Sequence, residues 1–363
     1  KFQDPRQGNN PSSLQGDFCN VNVLMQGFHS SIQFYELFLA RNLDIVKDFR
    51  GIWSILCLIK TLKPNIVHLH SSKAGFIGRI AVLLCRLTGS HLRVFHSPHG
   101  LPFLQRPQNK FKILLYRTLE QVAHVLGGVV VACSVGELNA FRKSVGRNRT
   151  ILIENAVDEK SILRKEISTA RKLTIATVGR ISSQKNPELF KRIADRLRCD
   201  LVHFLWIGTS AEGSQQQELQ LQSSVEVTGW LAKQDVLARL RKCDIYLQVS
   251  LWEGMPISVI EAMFIGLPTV VTDVIGNRDV VYDGVTGFVC KSENQLIEKL
   301  EKLIESEKLR AQFGERARAV AMRRFNIDRF ICYWHRAYSG KVWDDEAKSV
   351  QRRDLMRKSN NVL

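Results

Sequence analysis

Residues 245–271 read IYLQVSLWEGMPISVIEAMFIGLPTVV. Ile245–Val249 is a short apolar run. A loop bearing glycine and proline follows it, then Ile257–Ile265 at helical spacing, then a second apolar run, Thr269–Val271. Strands this short and apolar, joined through a helix, belong to a parallel sheet covered on both faces. The same alternation extends upstream. Leu173–Val178 (LTIATV), Val202–Ile207 and Val225–Thr228 read as strands. Pro187–Leu197, with proline at its first position, and Lys233–Arg241 read as helices. Glu159–Lys172 (EKSILRKEISTARK) is charged, lacks a clear strand and suits a linker. Before it lies a second series. Asn65–His70 (NIVHLH), Leu92–His96, Gly128–Cys133 and Thr150–Ile153 are strands. Lys73–Leu87, Lys110–Leu126 and Gly136–Ser144 are helices. After residue 293 the chain to Tyr338 is mostly helical. The expected fold class is α/β, with two Rossmann-like, doubly wound parallel-sheet domains over 1–165 and 166–325. Their ligands belong at the carboxyl ends of the strands, in the cleft between them.

Composition agrees with this. Length 363, with 45% hydrophobic and 24% charged residues, describes a globular chain of two or more domains. It excludes a disordered, collagen-like or polytopic membrane protein. Eight scattered cysteines without a C-x-x-C pair argue against a thiolate zinc site and a disulfide framework, and a reducing compartment fits. The longest apolar stretches, Gly51–Leu62 and Arg79–Leu87, are amphipathic and too short to span a membrane. Residues 1–20 are polar and turn-rich, unlike a signal peptide. The net charge is +17. Residues 1–165 hold 22 Lys+Arg against 10 Asp+Glu, whereas the rest hold 30 against 25. A front half this basic expects an anionic partner: a membrane surface, nucleic acid or a phosphorylated substrate.

Four loops carry the candidate chemistry. In SLWEGMPISVIEAM, Glu253 lies in the loop and Glu261 on the helix. Gly254 lets the backbone approach a ligand, and the amides at the helix start suit phosphate or hydroxyl groups. Two carboxylates eight residues apart can grip two hydroxyl-bearing parts of one ligand. Alternatively, Glu253 caps the helix and Glu261 pairs with a surface cation. In Val178–Pro187 (VGRISSQKNP), Arg180 and Lys185 can hold a diphosphate, with Gly179 in the turn; alone, they are solvated loop cations. In Phe95–Pro102 (FHSPHGLP), His99 can contact a polar substrate, although His96 competes for that role. In HLHSSKAGFIG, Ser71, Ser72 and Lys73 form an anion site at a helix start, or an ordinary serine cap.

These strings, with ENAVD (154–158), VTGW (227–230) and IGNRDVVYDGVTGFV (275–289), occur in an order that resembles the family 4 retaining glycosyltransferases of GT-B fold. More narrowly, the chain is similar to bacterial O-antigen, capsule and exopolysaccharide sugar transferases, from roughly residue 40 onward. The resemblance implies that Glu253 meets the donor sugar and Glu261 the nucleotide ribose. Arg180 and Lys185 grip the donor diphosphate, and His99 contacts the transferred sugar. The amides of Gly254, Met255 and Pro256 touch that sugar, and Trp230 lies near the nucleobase. It implies a helix over Asn326–Tyr338 crossing back to the first domain, so that 326–363 forms a third segment. It also implies a nucleotide-sugar donor (UDP-sugar favoured over GDP-sugar), no metal and no further cofactor. The sequence has no Asp-x-Asp motif, and Asp344–Asp345 lies in the tail. No side chain stands out as a nucleophile, so front-face attack by the acceptor hydroxyl is expected.

The departures lie early. The family's opening strand, glycine-rich loop and helix are degraded or missing, Asn22–Met25 (NVLM) being the nearest strand candidate; an N-terminal truncation is the expected explanation. Ala156 replaces the commoner glycine of N-G-V-D. The acceptor implied by the resemblance is a polyprenyl-diphosphate-linked glycan, reached from the inner face of the cytoplasmic membrane. Lys73, Arg79, Arg86, Arg93, Arg106, Lys110, Lys112 and Arg117 are the candidate docking face on anionic lipid. The alternatives are a truncated, non-catalytic binder of nucleotide sugars and a nucleotide-sugar epimerase, the latter disfavoured by EGMP…EAM. Nucleic-acid binding lacks any zinc-finger or aromatic-basic segment and is not expected.

Overall fold

The computed structural model describes residues 31–37, 44–105, 108–166, 172–210, 215–222 and 224–341. The strand candidate Asn22–Met25, Arg106, the Asp344–Asp345 pair and part of the linker lie outside the described residues.

The first half builds a four-stranded sheet in the order β1 (Ile66–His70), β2 (Arg93–Ser97), β3 (Val129–Ala132), β4 (Thr150–Leu152), all parallel. Helix α1 (Ile45–Leu62) leads into it; α2 (Ser72–Leu87), α3 (Lys110–Val125) and α4 (Val135–Ser144) connect its strands. The sequence placed α1 only from Gly51. It starts six residues earlier because the Asp44 side chain accepts from Lys47 N–H at 3.0 Å, an N-cap that begins the helix.

The second sheet has six parallel strands in the order β10-β9-β8-β5-β6-β7. They are β5 (Leu173–Val178), β6 (Val202–Ile207), β7 (Glu226–Val227), β8 (Ile245–Gln248), β9 (Thr269–Thr272) and β10 (Gly287–Cys290). Their helices are α5 (Pro187–Arg196), α6 (Gln215–Leu221), α7 (Lys233–Arg241), α8 (Ile257–Ile265), α9 (Ile275–Val280) and α10 (Glu293–Glu305). From β5 the chain winds outward through β6 and β7, then returns to β8 on the other side of β5. The order therefore reverses between β5 and β8, the switch point where an open α/β sheet leaves a crevice.

Helix α11 (Glu307–Arg324) packs against α8, and α12 (Ile327–Tyr338) returns to the first sheet. There Phe330, Tyr333, Trp334 and Ala337 cover Phe95, Val129, Val131 and Ile151. A bidentate ion pair anchors the crossing. Arg324 and Glu154 are both buried, with Nε 3.1 Å from each carboxylate oxygen.

Candidate active site

The strand ends of the two sheets face each other across a cavity of about 590 Å³. From the first half come His99 and Gly100 after β2, Cys133 after β3 and Asn155 after β4. From the second come Gly179, Gln184 and Lys185 after β5, Trp252–Ser258 after β8, Glu261 on α8 and Lys233 on α7. The second-half residues sit at the switch point.

Two lysine–glutamate pairs organise this wall. Lys185 Nζ lies 2.8 Å from Glu253 Oε1. A 3-10 turn over Ser183–Lys185, ended by left-handed Asn186 (φ 53°), carries that lysine. The Gln184 side chain donates to Trp252 O at 3.1 Å, and Leu251 N–H donates to Gln184 O at 2.9 Å, so the two loops are stitched together. Gln248 Nε2 donates to Glu253 Oε1 at 3.3 Å and to Asn277 Oδ1 at 3.2 Å, while Tyr246 and Ser258 hydroxyls donate to Gln248 Oε1 at 3.1 Å. The second pair is Lys233–Glu261. Glu261 is 2% exposed, and burial raises its carboxyl pKa while Lys233 opposes the rise. Glu261 therefore pairs with a cation, and the pair lines the cavity.

Gly254 is where the halves touch. A Cβ there would lie 2.9 Å from Gly100 N and 3.0 Å from His99 C, so only glycine lets the two backbones cross. Beside it, Asn155 Nδ2 donates to Met255 O at 3.0 Å. The His99–Gly100 loop is held from below by Glu137. That buried carboxylate accepts from Gly100 N–H at 2.7 Å and Cys133 N–H at 2.8 Å, and burial raises its pKa. Across the cleft, Gly136 N–H donates to Asp279 Oδ2 at 2.7 Å.

His99 has φ 55° and stacks on His70, its Nε2 2.8 Å from His70 Nδ1. His70 lies against His68, whose Nδ1 and Nε2 reach Tyr338 OH at 2.7 Å and Ser97 Oγ at 2.9 Å. A chain of imidazoles thus runs from the cavity to α12. Burial lowers the pKa of all three, that of His68 to about 3. His96, the rival of His99, is fully buried. Its Nδ1 accepts from Arg79 Nη2 at 3.0 Å and its Nε2 donates to Ser71 O at 3.2 Å, so it plays no part in the cavity.

Of the expected site residues, His99, Gly179, Lys185, Glu253, Gly254, Met255, Pro256 and Glu261 line one cavity. Arg180 and Trp230 are exposed and do not line it. Ser71, Ser72 and Lys73 do not either. Ser71 makes no side-chain cap, the Ser72 hydroxyl faces Glu120, and Lys73 pairs with Asp48 at 2.7 Å. Arg79, expected on a docking face, is 1% exposed, because it is the hydrogen-bond donor to His96 and sits beside Glu120. Gln184, Lys233, Ser258 and Glu137 were not anticipated. The first three fall within strings the motifs cover or adjoin. Glu137 has no sequence signal apart from its place in the first turn of the helix that follows a strand. No group of three or more His, Cys, Asp or Glu side chains among the described residues is arranged to hold a metal.

The comparisons agree with this geometry. Residues 158–320 match the family described as Glycosyl transferases group 1, and residues 21–161 match Glycosyltransferase Family 4. The chain is 30% identical over 278 residues to the UDP-Gal:alpha-D-GlcNAc-diphosphoundecaprenol alpha-1,3-galactosyltransferase of Escherichia coli, covering 70% of each chain. It is 30% identical over 181 residues to a Campylobacter jejuni N,N'-diacetylbacillosaminyl-diphospho-undecaprenol alpha-1,3-N-acetylgalactosaminyltransferase, covering 48% of this chain and 47% of that one. In fold it is similar to Anabaena HepE, solved in complex with UDP and glucose. That likeness has a TM-score of 0.70 at 19% identity, covering 84% of this chain and 86% of that one. The chain belongs to glycosyltransferase family 4, and it is a retaining glycosyltransferase of the GT-B fold.

Proposed function

We propose that this chain transfers a hexose from UDP-sugar to a glycan carried on a polyprenyl diphosphate, at the inner face of the cytoplasmic membrane, in the synthesis of a surface polysaccharide. The observation that carries the reading is the cavity wall in which Lys185–Glu253 and Lys233–Glu261 stand side by side at the switch point. The names of the relatives support the acceptor class: both act on diphospho-undecaprenol glycans. HepE with UDP supports the nucleotide. Named transferases among the relatives also disfavour the non-catalytic alternative.

In this reading Glu261, paired with Lys233, accepts from the ribose hydroxyls. The donor diphosphate meets Lys185, the exposed Arg180 and the amides at the start of α8. Glu253 and the Gly254–Pro256 backbone hold the sugar, with His99 on its other side. The acids lining the cavity are Glu253 and Glu261, each already held by a lysine, which leaves neither poised to attack the sugar. The acceptor oxygen therefore bonds to the anomeric carbon on the face the phosphate leaves. The carbon–phosphate-oxygen bond breaks, and the acceptor proton passes to the departing phosphate oxygen. Cations and amides that meet the charge as it develops lower the barrier without a metal.

Thermal unfolding with UDP, GDP, ADP and their sugars, with and without EDTA, tests this. UDP at about 100 times its dissociation constant adds roughly 2.7 kcal/mol, a shift on the order of 5 °C. Lys185→Met should remove most of that shift. A response to GDP alone would reassign the donor, a shift abolished by EDTA would restore a metal, and no response to any nucleotide would overturn the reading.

A further inference from the structure

Lys185 has two claims on it. In the proposed transfer it meets the donor diphosphate, yet its Nζ lies 2.8 Å from Oε1 of Glu253, the residue that holds the sugar. Its three N–H donors sit on a flexible stem, and a diphosphate competes for them. Glu253 then needs a holder that does not leave with the lysine. Two other side chains reach it. Gln184 Nε2 is 3.5 Å from Glu253 Oε2, the limit of a hydrogen bond, and its shorter bond goes to Trp252 O at 3.1 Å. It also shares the turn that carries Lys185. Gln248 Nε2 is 3.3 Å from Glu253 Oε1 and comes from a different element, as the last residue of β8.

An amide is costly in that place. All of β8 is buried, Gln248 is 1% exposed, and an apolar side chain would fill the space without desolvating a polar group. Here all four hydrogen-bonding positions of the amide are used, and in one orientation only. Asn277, also buried, spends its Nδ2 on Thr272 O at 3.0 Å and Thr272 Oγ1 at 3.2 Å. Its Oδ1 therefore faces Gln248 Nε2 as an acceptor, at 3.2 Å. On the other side, Val178 N–H donates to Tyr246 OH at 3.4 Å. That leaves the phenol proton for Gln248 Oε1 at 3.1 Å, and the Ser258 hydroxyl donates to the same oxygen at 3.1 Å. Backbone groups of β5 and β9 thus decide which way the amide points. It points its N–H at Glu253, whose carboxylate only accepts.

We infer that Gln248 is a positioning residue of the transfer site: it fixes the Glu253 carboxylate against the sugar while Lys185 is shared with the donor diphosphate. This rests on the UDP-sugar reading and adds a division of labour to it. The lysine is the moving partner of Glu253, and the glutamine is the fixed one. Strand β8 lies between β9 and β5 in the middle of the sheet, so the backbone that carries Gln248 has no room to follow the lysine. Gln248 does not line the cavity, and its effect on the sugar passes through Glu253.

The test compares dissociation constants for UDP with those for UDP-galactose, UDP-glucose and UDP-N-acetylgalactosamine, by calorimetry on the full chain. Gln248→Met keeps the length and removes the polar atoms. It should weaken the preferred UDP-sugar roughly tenfold and UDP less than about twofold, because UDP brings no sugar to Glu253. Lys185→Met should weaken both. Gln248→Glu keeps the shape and the acceptor for Tyr246 and Ser258, and sets a second carboxylate against Glu253. It should repeat the sugar-selective loss, and it decides the matter if methionine disturbs the core. An amide with a merely structural role would cost UDP and UDP-sugar alike, so equal losses, or none, would overturn the inference. A crystal structure of Lys185→Met needs no nucleotide. There the Glu253 carboxylate should stay within hydrogen-bond reach of Gln248 Nε2, and a carboxylate turned away would also sink the idea. A folded parent that binds no nucleotide, with Glu253 still held in Lys185→Met, would keep Gln248 as the holder and remove the transfer reading instead.

Discussion

The second sheet is covered on both faces by helices of its own half. Phe190, Ile193 and Leu300 close one side, and Val259, Met263 and Ala321 close the other. The first sheet closes one face with α1 and α2, through Ile55, Ile59, Ile77 and Val82, and borrows its other cover from α12 at the far end of the chain. The charge follows the same division, since most of the surplus of cations lies in residues 1–165. The half that lines the cavity with Lys185, Glu253 and Glu261 therefore covers its sheet with its own helices. The half that presents His99 is completed from outside and holds more ionisable groups in its interior. Its folding and the placing of His99 are coupled to a helix that begins beyond the second sheet.

The largest expected break between the halves comes from acid. Burial holds five histidines of the first half below the ordinary imidazole pKa: His68, His70, His96, His99 and His124. For His68 and His96 the value is about 3. A depressed pKa means that the unfolded chain binds the proton first. This stability is whole above about pH 6.5 and is lost as the pH falls toward 3. His96 alone, fully buried, accounts for roughly 3 kcal/mol by pH 4, and His68 adds to it. Glu120 and Glu137, raised by burial, oppose the loss at the lower end. Between pH 7 and 5 the amides of β1–β3 should lose hydrogen-exchange protection before those of β5 and β8. Simultaneous loss would mean that the two halves open as one unit.

Next in size is the ion pair beneath the crossing. Arg324→Met leaves Glu154 buried beside Arg329 Nη2 at 3.8 Å, too far to replace a bidentate partner. Removing one member of such a pair costs about 3 kcal/mol. Urea unfolding should show that loss, and adding Glu154→Gln should recover much of it, because the unmatched charge is then gone. A double variant as unstable as the single one would place the cost in lost packing.

The sheets were legible because their strands are short apolar runs between glycine, proline and charge, as in NIVHLH and LTIATV. The strand over Gly287–Cys290 and the helix over Ile275–Val280 were not. Each is short, and only packing against the rest of the sheet makes it regular. The motif residues of the cavity could be named because loops after parallel strands converge at a switch point. Their partners could not. Lys233 and Glu261 are 28 residues apart, and the reason for glycine at 254 is the backbone of Gly100, on the other half. Composition gave the sign of the first half's charge without its location. Arg79 counts toward the surplus and lies inside; Phe49 and Phe111 sit at helical spacing and face outward.

The smallest of the three effects isolates the borrowed cover. Trp334 is half-buried, its ring 4.6 Å from His68 and 5.1 Å from Tyr338. Trp334→Ala removes that contact and should cost about 2 kcal/mol. The loss should fall on one side only. Protection of β1–β3 drops, while β5 and β8 keep theirs because the clusters of Phe190 and Val259 include no residue of α12. Trp334→Phe, which keeps an aromatic face against His68, should restore most of it. If β5 and β8 lost protection to the same extent as β1–β3, α12 would be a part of one common core. Its crossing would then no longer set the half that presents His99 apart from the other.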